Sequence, residues 1–174
     1  MTNGQIVALD ALAWAGWSAV VGYAAHRLPL SRLDHDGPLT RLRRWERGGR
    51  VYERLGIRRW KDRLPEFGAV FRGGTSKRSL PSRSTPALAR FAAETRRAEL
   101  VHWAIPLLTP VFALWNPASL SGAMVGYAVL ANAPCLIVQR YNRGRLERVL
   151  ARRRAPVQEL RTGAPVPAHI GERA

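Results

Sequence analysis

The sequence predicts an all-α integral membrane protein with about three transmembrane helices and further amphipathic helices at the cytoplasmic interface. Three observations lead there. All 28 Lys and Arg of the 174 residues fall within 27–97 or 140–173. Residues 100–138 carry no charged side chain, and residues 5–25 carry one, Asp10. A net charge of +16 then gathers outside the apolar stretches, which implies an anionic partner: lipid headgroups, a phosphorylated substrate or nucleic acid. A single cysteine, Cys135, excludes a disulfide framework and a zinc-finger array. The apolar stretches exclude wholesale disorder, because they must be buried somewhere.

The first apolar segment, 5–25, has the roughly 20 residues a spanning helix needs. A secretory signal would carry a positive n-region. Residues 1–4 have no Lys or Arg, so a retained helix is expected. The second segment, 100–115, is short for a full span and contains Pro106 and Pro110; it either crosses or re-enters. The third runs from Leu120 to Val138. The connection Asn116-Pro117-Ala118-Ser119 is a turn sequence, so the second and third segments read as an antiparallel helical hairpin. Orientation follows from the cations. The N-terminal tail and the 116–119 turn have none, whereas both basic regions would share one side. The positive-inside rule puts that side in the cytoplasm of a multi-pass cell-membrane protein, with the N-terminus outside.

Between the first two apolar segments, Leu39, Leu42 and Trp45 recur at helical spacing. So, more roughly, do Val51, Leu55, Trp60 and Leu64, with Arg41, Arg43, Arg44, Arg54, Arg58, Arg59 and Lys61 between them. Apolar residues on one face and Arg on the other describe helices in the membrane interface. Interleaved Arg and Trp would also suit nucleic acid, but the flanking spans favour lipid. Ser84 or Thr85 followed by Pro86 marks a helix start. A single domain over 1–150 is expected, with helices at about 5–25, 86–115 and 120–148 around an interfacial region at 27–85. The Arg- and Pro-rich tail, 151–174, is expected to be disordered.

Three polar clusters then meet one membrane face. Gly73, Gly74, Ser76, Lys77 and Arg78 form a loop whose backbone N–H groups and cations suit phosphates, although its spacing is not that of a P-loop. Taken as a bare motif, it is equally a basic surface loop. Glu94, Glu99 and His102 sit where the second helix enters the apolar region. Glu99 and His102, at i and i+3, share a face. A carboxylate beside an imidazole suits a general base, and ionisable groups at that depth are functional candidates. A self-satisfied interfacial pair is the alternative. These residues of one helix do not make a metal site, and no metal or cofactor is expected. Asn132, in an apolar run beside Pro134, either stabilises an oxyanion or joins helices. Cys135 is expected to pack, because apolar surroundings raise a thiol pKa. Gln139, Arg140, Asn142 and Arg143 emerge on the same side as the other clusters and are candidates for binding donor phosphates.

Five blocks carry a resemblance: YERLGIRRWKDRLPE (52–66), GGTSKRSL (73–80), ETRRAELVHW (94–103), FALWNP (112–117) and NAPCLIVQRYNRGRL (132–146). Together they resemble the glycosyl-4,4'-diaponeurosporenoate acyltransferase family of small integral membrane proteins, over roughly residues 50–148. The resemblance implies transfer of a fatty acyl group to the sugar of a glycosylated carotenoid or a related lipid hydroxyl. The donor would be acyl-CoA or an acyl-carrier thioester. It implies no established catalytic assignment. On the residue chemistry alone, His102 would take the hydroxyl proton, Glu99 or Glu94 would orient it, and Asn132 or backbone N–H groups would hold the oxyanion. The partners expected are membrane lipids, donor and acceptor, with no nucleic acid and a homo-oligomer compatible with so few helices. The contrasting reading is a non-enzymatic membrane protein that binds anionic lipid or scaffolds other enzymes.

Overall fold

In a computed structural model, residues 1–64 and 84–162 are described, the last eight of these by backbone only. Helix α1 spans Asn3–Arg27 and starts at a capping box, in which Thr2 accepts from Gln5 N–H and the Gln5 side chain accepts from Thr2 N–H. A short 3-10 turn, Leu30–Leu33, follows. Next come a 3-10 segment at Arg44–Leu55, helix α2 at Ile57–Trp60 and a last 3-10 turn at Lys61–Arg63. Helix α3 spans Thr85–Leu107, a 3-10 segment covers Thr109–Leu114, and helix α4 runs over Ala118–Thr162. No strand occurs among the described residues.

Helices α3 and α4 form the expected antiparallel hairpin, and the rest is arranged around it. Ser84 caps α3 with its hydroxyl on Ala87 N–H, and Pro86 sits in the first turn. Where the hairpin leaves the apolar zone, Leu88, Phe91 and Ala92 pack on Leu146 and Leu150.

Among the described residues, two helices are long and apolar enough to cross a membrane, Asn3–Arg27 and the Ala118–Arg154 part of α4. The segment 100–115 is not one continuous helix. Proline disfavours helical backbone in the residue before it, and α3 ends at Leu107, just ahead of Thr109-Pro110. Thr109 donates its hydroxyl to the Pro106 carbonyl, 2.7 Å away. A 3-10 helix rises about 2.0 Å per residue against 1.5 Å for an α-helix, so the break costs little reach. The segment still runs alongside α1 and is fastened to it at two levels. Arg97 Nη2 donates to the Leu28 carbonyl at 2.8 Å. At the far end, Trp115 Nε1 and Asn116 Nδ2 both donate to Asp10 Oδ1, at 2.7 and 2.8 Å. Trp14, Phe112, Trp115 and Tyr127 stack around that second fastening.

The basic region departs from the expected pair of amphipathic helices. Arg47, Gly48 and Gly49 have φ of 50°, 61° and 88°, a left-handed turn that interrupts the helical spacing. The chain folds into a compact cap on the side of α4. Tyr52 and Ile57 are buried against Val138 and Tyr141, with Val51, Trp60 and Leu64 around them, while Leu39, Trp45 and Leu55 are exposed. Part of the apolar stripe therefore faces protein instead of lipid. The first part of the tail, 151–162, also departs from expectation, because α4 continues to Thr162. Apart from Pro156, Val157 and Thr162, these residues are Arg, Ala, Gln, Glu and Leu, good helix formers that extend a helix already nucleated.

The cap meets α4 backbone to backbone. Gly49 lies on the Tyr141 backbone, and a Cβ at Gly144 would collide with the Gly48 carbonyl. Ala would otherwise be favoured over Gly in a helix by about 1 kcal/mol. Overpacking at this contact costs about 1–3 kcal/mol, so Gly144→Ala is expected to lower the Tm of the detergent-solubilised protein. Gly126, which has nothing within 4 Å of a built Cβ, should accept Ala with an unchanged or raised Tm.

Candidate active site

Position 102 lies in α3 just inside the apolar run, and position 132 faces it across the hairpin. His102 Nδ1 and Asn132 Oδ1 are 2.8 Å apart. The Asn132 amide is oriented by a second bond, from Nδ2 to the Ala128 carbonyl one turn earlier on α4, also 2.8 Å. With Nδ2 donating there, Oδ1 is the atom left to accept from imidazole. That places the His102 proton on Nδ1 and makes Nε2 the basic nitrogen. Asn132 is buried and His102 half-buried. Of the two roles weighed for Asn132, this geometry is the one that joins helices, and it also fixes the imidazole.

Glu99 and Glu94 do not orient His102 in this geometry. Glu99 is wholly buried, with one oxygen on Arg140 and the other on Arg143. Its Oε1 also lies 3.4 Å from Trp103 Nε1. Glu94 is paired with Arg97, 3.0 and 3.1 Å from Nη1. The reason is electrostatic. A buried carboxylate is held most strongly by guanidinium forks, and both sets of Arg are within reach.

The same pairing removes Arg140 and Arg143 from the phosphate-binding role expected of them. Arg140 grips Glu46 through Nε and Nη2, both at 2.7 Å, and reaches Glu99 through Nη1. It also donates to the carbonyls of Leu39 and Arg41, at 3.1 and 2.9 Å. Every guanidinium donor is thereby used. Arg143, wholly buried, bonds Glu99 and the Thr40 carbonyl, and its Nε lies 3.5 Å from Glu147. Arg96 extends the network, with Nε on Asp36 at 2.6 Å and Nη2 on Glu147 at 3.0 Å. Gln139 is buried on α4, and Asn142 is half-buried beside a basic groove. Gly73, Gly74, Ser76, Lys77 and Arg78 lie outside the described residues. Cys135 is half-buried on α4, one turn beyond Asn132. Among the described residues no group of three or more His, Cys, Asp or Glu is arranged to hold a metal ion.

Glu46 is the member that sequence reasoning missed. Burial by itself would raise its pKa. Hydrogen bonds from Arg140, the Tyr52 hydroxyl and the Arg43 N–H outweigh that and hold the carboxyl below its ordinary value. Burial, together with the Glu46 carboxylate, pushes the Tyr52 phenol well above its ordinary range, so Tyr52 stays a donor. A signal existed. Glu46 stands alone among Arg43, Arg44, Arg47 and Arg50, and a lone acid in such a run invites a specific partner.

Comparison with known proteins agrees with the resemblance noted in the sequence. The family model for glycosyl-4,4'-diaponeurosporenoate acyltransferase matches residues 37–152. The chain belongs to that family. Curated relatives of the same name from Staphylococcus aureus strains Newman and COL are each 34% identical over 94 residues, covering 54% of this chain and 56% of theirs. The chain thus spans about half the length of the curated relatives it matches. No solved structure matches. The family match contains His102, Asn132 and the whole Glu46–Arg140–Glu99–Arg143 network, and α1 lies before it.

Two outcomes follow from the network. A carboxyl held below its ordinary pKa adds stability in full above that ordinary value, and the contribution is lost as pH falls through the lower folded value. In thermal melts, Glu46→Gln should therefore lower the Tm at pH 7, and its gap from wild type should narrow below about pH 4. Glu99→Gln leaves two buried guanidinium groups short of a charge, and breaking a buried pair costs about 3–5 kcal/mol. The yield and Tm of that variant should fall sharply.

Proposed function

We propose that the protein is a membrane acyltransferase that moves a fatty acyl group from an acyl thioester to a hydroxyl of a glycosylated carotenoid or a related lipid. The observation that carries this reading is the His102–Asn132 pair at 2.8 Å, in a chain of a family named for that transfer. The pair lies where the apolar helices give way to the charged cap. An apolar acceptor and a water-soluble donor would both arrive at that level. Leu12 and Leu130, 72% and 74% exposed, show how openly α1 and α4 present apolar side chains. That suits lipid as the surrounding solvent.

The chemistry is a single acyl exchange. The acceptor hydroxyl oxygen attacks the thioester carbonyl carbon while His102 Nε2 takes its proton. The carbon–sulfur bond breaks, and the thiolate leaves and recovers that proton. The products are an ester and a free thiol, and no cofactor is required. Asn132 is a positioning residue that keeps the imidazole in the tautomer the step needs. The ion network is scaffold. It ties α3, α4 and the cap together one turn from His102.

The proposed orientation places both basic regions in the cytoplasm and the N-terminus outside. In it, the bent segment 100–115 crosses between α1 and α4, its outer half in 3-10 form. The donor would then be met on the cytoplasmic face.

The test uses full-length protein in nanodiscs with radiolabelled palmitoyl-CoA and a glycosylated carotenoid. A labelled ester is expected, and His102→Ala should slow its formation by about 10²–10⁴-fold. Asn132→Ala should slow it less, mainly through kcat. Full activity in a folded His102→Ala protein would overturn the mechanism. Lipid binding with no ester would favour a lipid-binding scaffold.

A further inference from the structure

A groove of about 790 Å³ opens between the cap and the cytoplasmic ends of α3 and α4. Among the described residues, seven cations line it against one acid, Glu53, which pairs with Arg58, while Lys61 pairs with Asp62 just outside the lining. Its floor is apolar, formed by Leu88 and Phe91 of α3 and Leu146 and Val149 of α4. The network around Glu99 uses none of these residues. Arg50, Arg145 and Arg152 are exposed.

We infer that this groove holds the phosphate-bearing nucleotide head of the acyl donor, a coenzyme A thioester, with the pantetheine arm running along the α3–α4 seam to His102. The inference rests on the acyl-transfer reading for its final step only. The cationic lining beyond those two pairs calls for a polyanion, and an apolar floor suits a base ring. A volume within about 300–1,000 Å³ is that of a small-molecule site, where a carrier protein would need a broad surface.

Position argues against a lipid headgroup. The uncharged run of α4 ends at Val138. At 1.5 Å per residue, Arg145 stands about 10 Å beyond that residue and Arg152 about 21 Å. A headgroup layer is only about 5–8 Å thick on each side. Most of the groove therefore lies past the membrane surface, where a soluble ligand would approach.

Helical spacing gives the direction, and because Thr95 and Gln139 of these two rows are buried, the arm would lie over the seam and not within it. On α3, the groove residues Leu88 and Phe91 share a face with Thr95, Ala98 and His102. On α4, Leu146 and Asn142 continue through Gln139 to Cys135 and Asn132 in the same way. Both rows converge on the His102–Asn132 bond. From Asn132 to Asn142 is about 15 Å along the helix, and to Arg148 about 24 Å. An extended pantetheine arm covers a span of that order.

The experiment measures binding without turnover. Full-length protein in phosphatidylcholine nanodiscs is titrated with coenzyme A by calorimetry, and with 3'-phosphoadenosine 5'-phosphate as competitor. Saturable binding that weakens with salt, and competition by the nucleotide, are expected. The triple variant Arg50→Gln, Arg145→Gln, Arg152→Gln should weaken binding at least tenfold with an unchanged Tm, whereas His102→Ala should bind as wild type does. No binding of coenzyme A, or equal binding by the triple variant, would overturn the inference. It is likewise overturned if the variant loses only retention on phosphatidylglycerol vesicles, which would make the groove a headgroup site. The two readings fail separately. Coenzyme A binding with no acyl transfer would leave the groove standing and remove the proposed reaction. Transfer from an acyl carrier protein, with no coenzyme A binding, would do the reverse.

Discussion

A carboxylate cut off from water persists only where cations reach it, and Glu99 is reached by two. Arg140 and Arg143 are one turn apart on α4, so their shared hold on Glu99 fixes the register of α4 against α3. Arg140 also clasps Glu46, and Arg143 bonds the Thr40 carbonyl, which seats the cap on the same spot. His102 lies one turn from Glu99, and Asn132 two turns from Arg140. The same register therefore brings the imidazole and the amide to 2.8 Å. An imidazole on a helix surface has rotameric freedom, and this one is engaged by an amide of the facing helix.

Much of the architecture was legible because it depends on composition and period. Charge segregation located the apolar segments. Ser84 and Pro86 marked the start of α3, and the Asn116-Pro117 turn marked the hairpin. What escaped depends on contacts between residues distant in the chain. No spacing rule links His102 to Asn132, thirty positions apart in sequence. Reading Glu99 with His102 followed i, i+3 proximity, which is a weak local preference. Two guanidinium groups from another helix outweigh it. The same cause removed Arg140 and Arg143 from the candidate phosphate ligands. Counting buried acids as well as exposed bases would have suggested that some Arg were already engaged.

The cap shows a second limit of pattern reading. Val51, Trp60 and Leu64 do form an apolar stripe, and they do pack inward. The stripe is delivered by a broken 3-10 path instead of continuous helices, because Gly48 and Gly49 admit a left-handed turn. That turn lets the backbone approach α4 at Gly144, where a side chain would not fit. The outcome is a small folded lid of protein on a site that composition alone would have assigned to lipid headgroups.

Holding α1 by few polar contacts has a consequence for how this helix is encoded. Asp10 and the Leu28 carbonyl are two polar points that hold it, and Trp14 stacks beside the first. Only 11% of its apolar window is buried, so few side chains between those points meet a neighbour whose shape they must match. Identity matters at the clasps and along one stripe, where Trp14 and Trp17 are half-buried and Val21 and Ala25 are buried. On the rest of its surface the helix is specified by length and oiliness, and one apolar residue there could replace another without the rest of the molecule registering the exchange. The hairpin behind it has no comparable latitude, since a one-residue slip there would part Glu99 from both of its arginines.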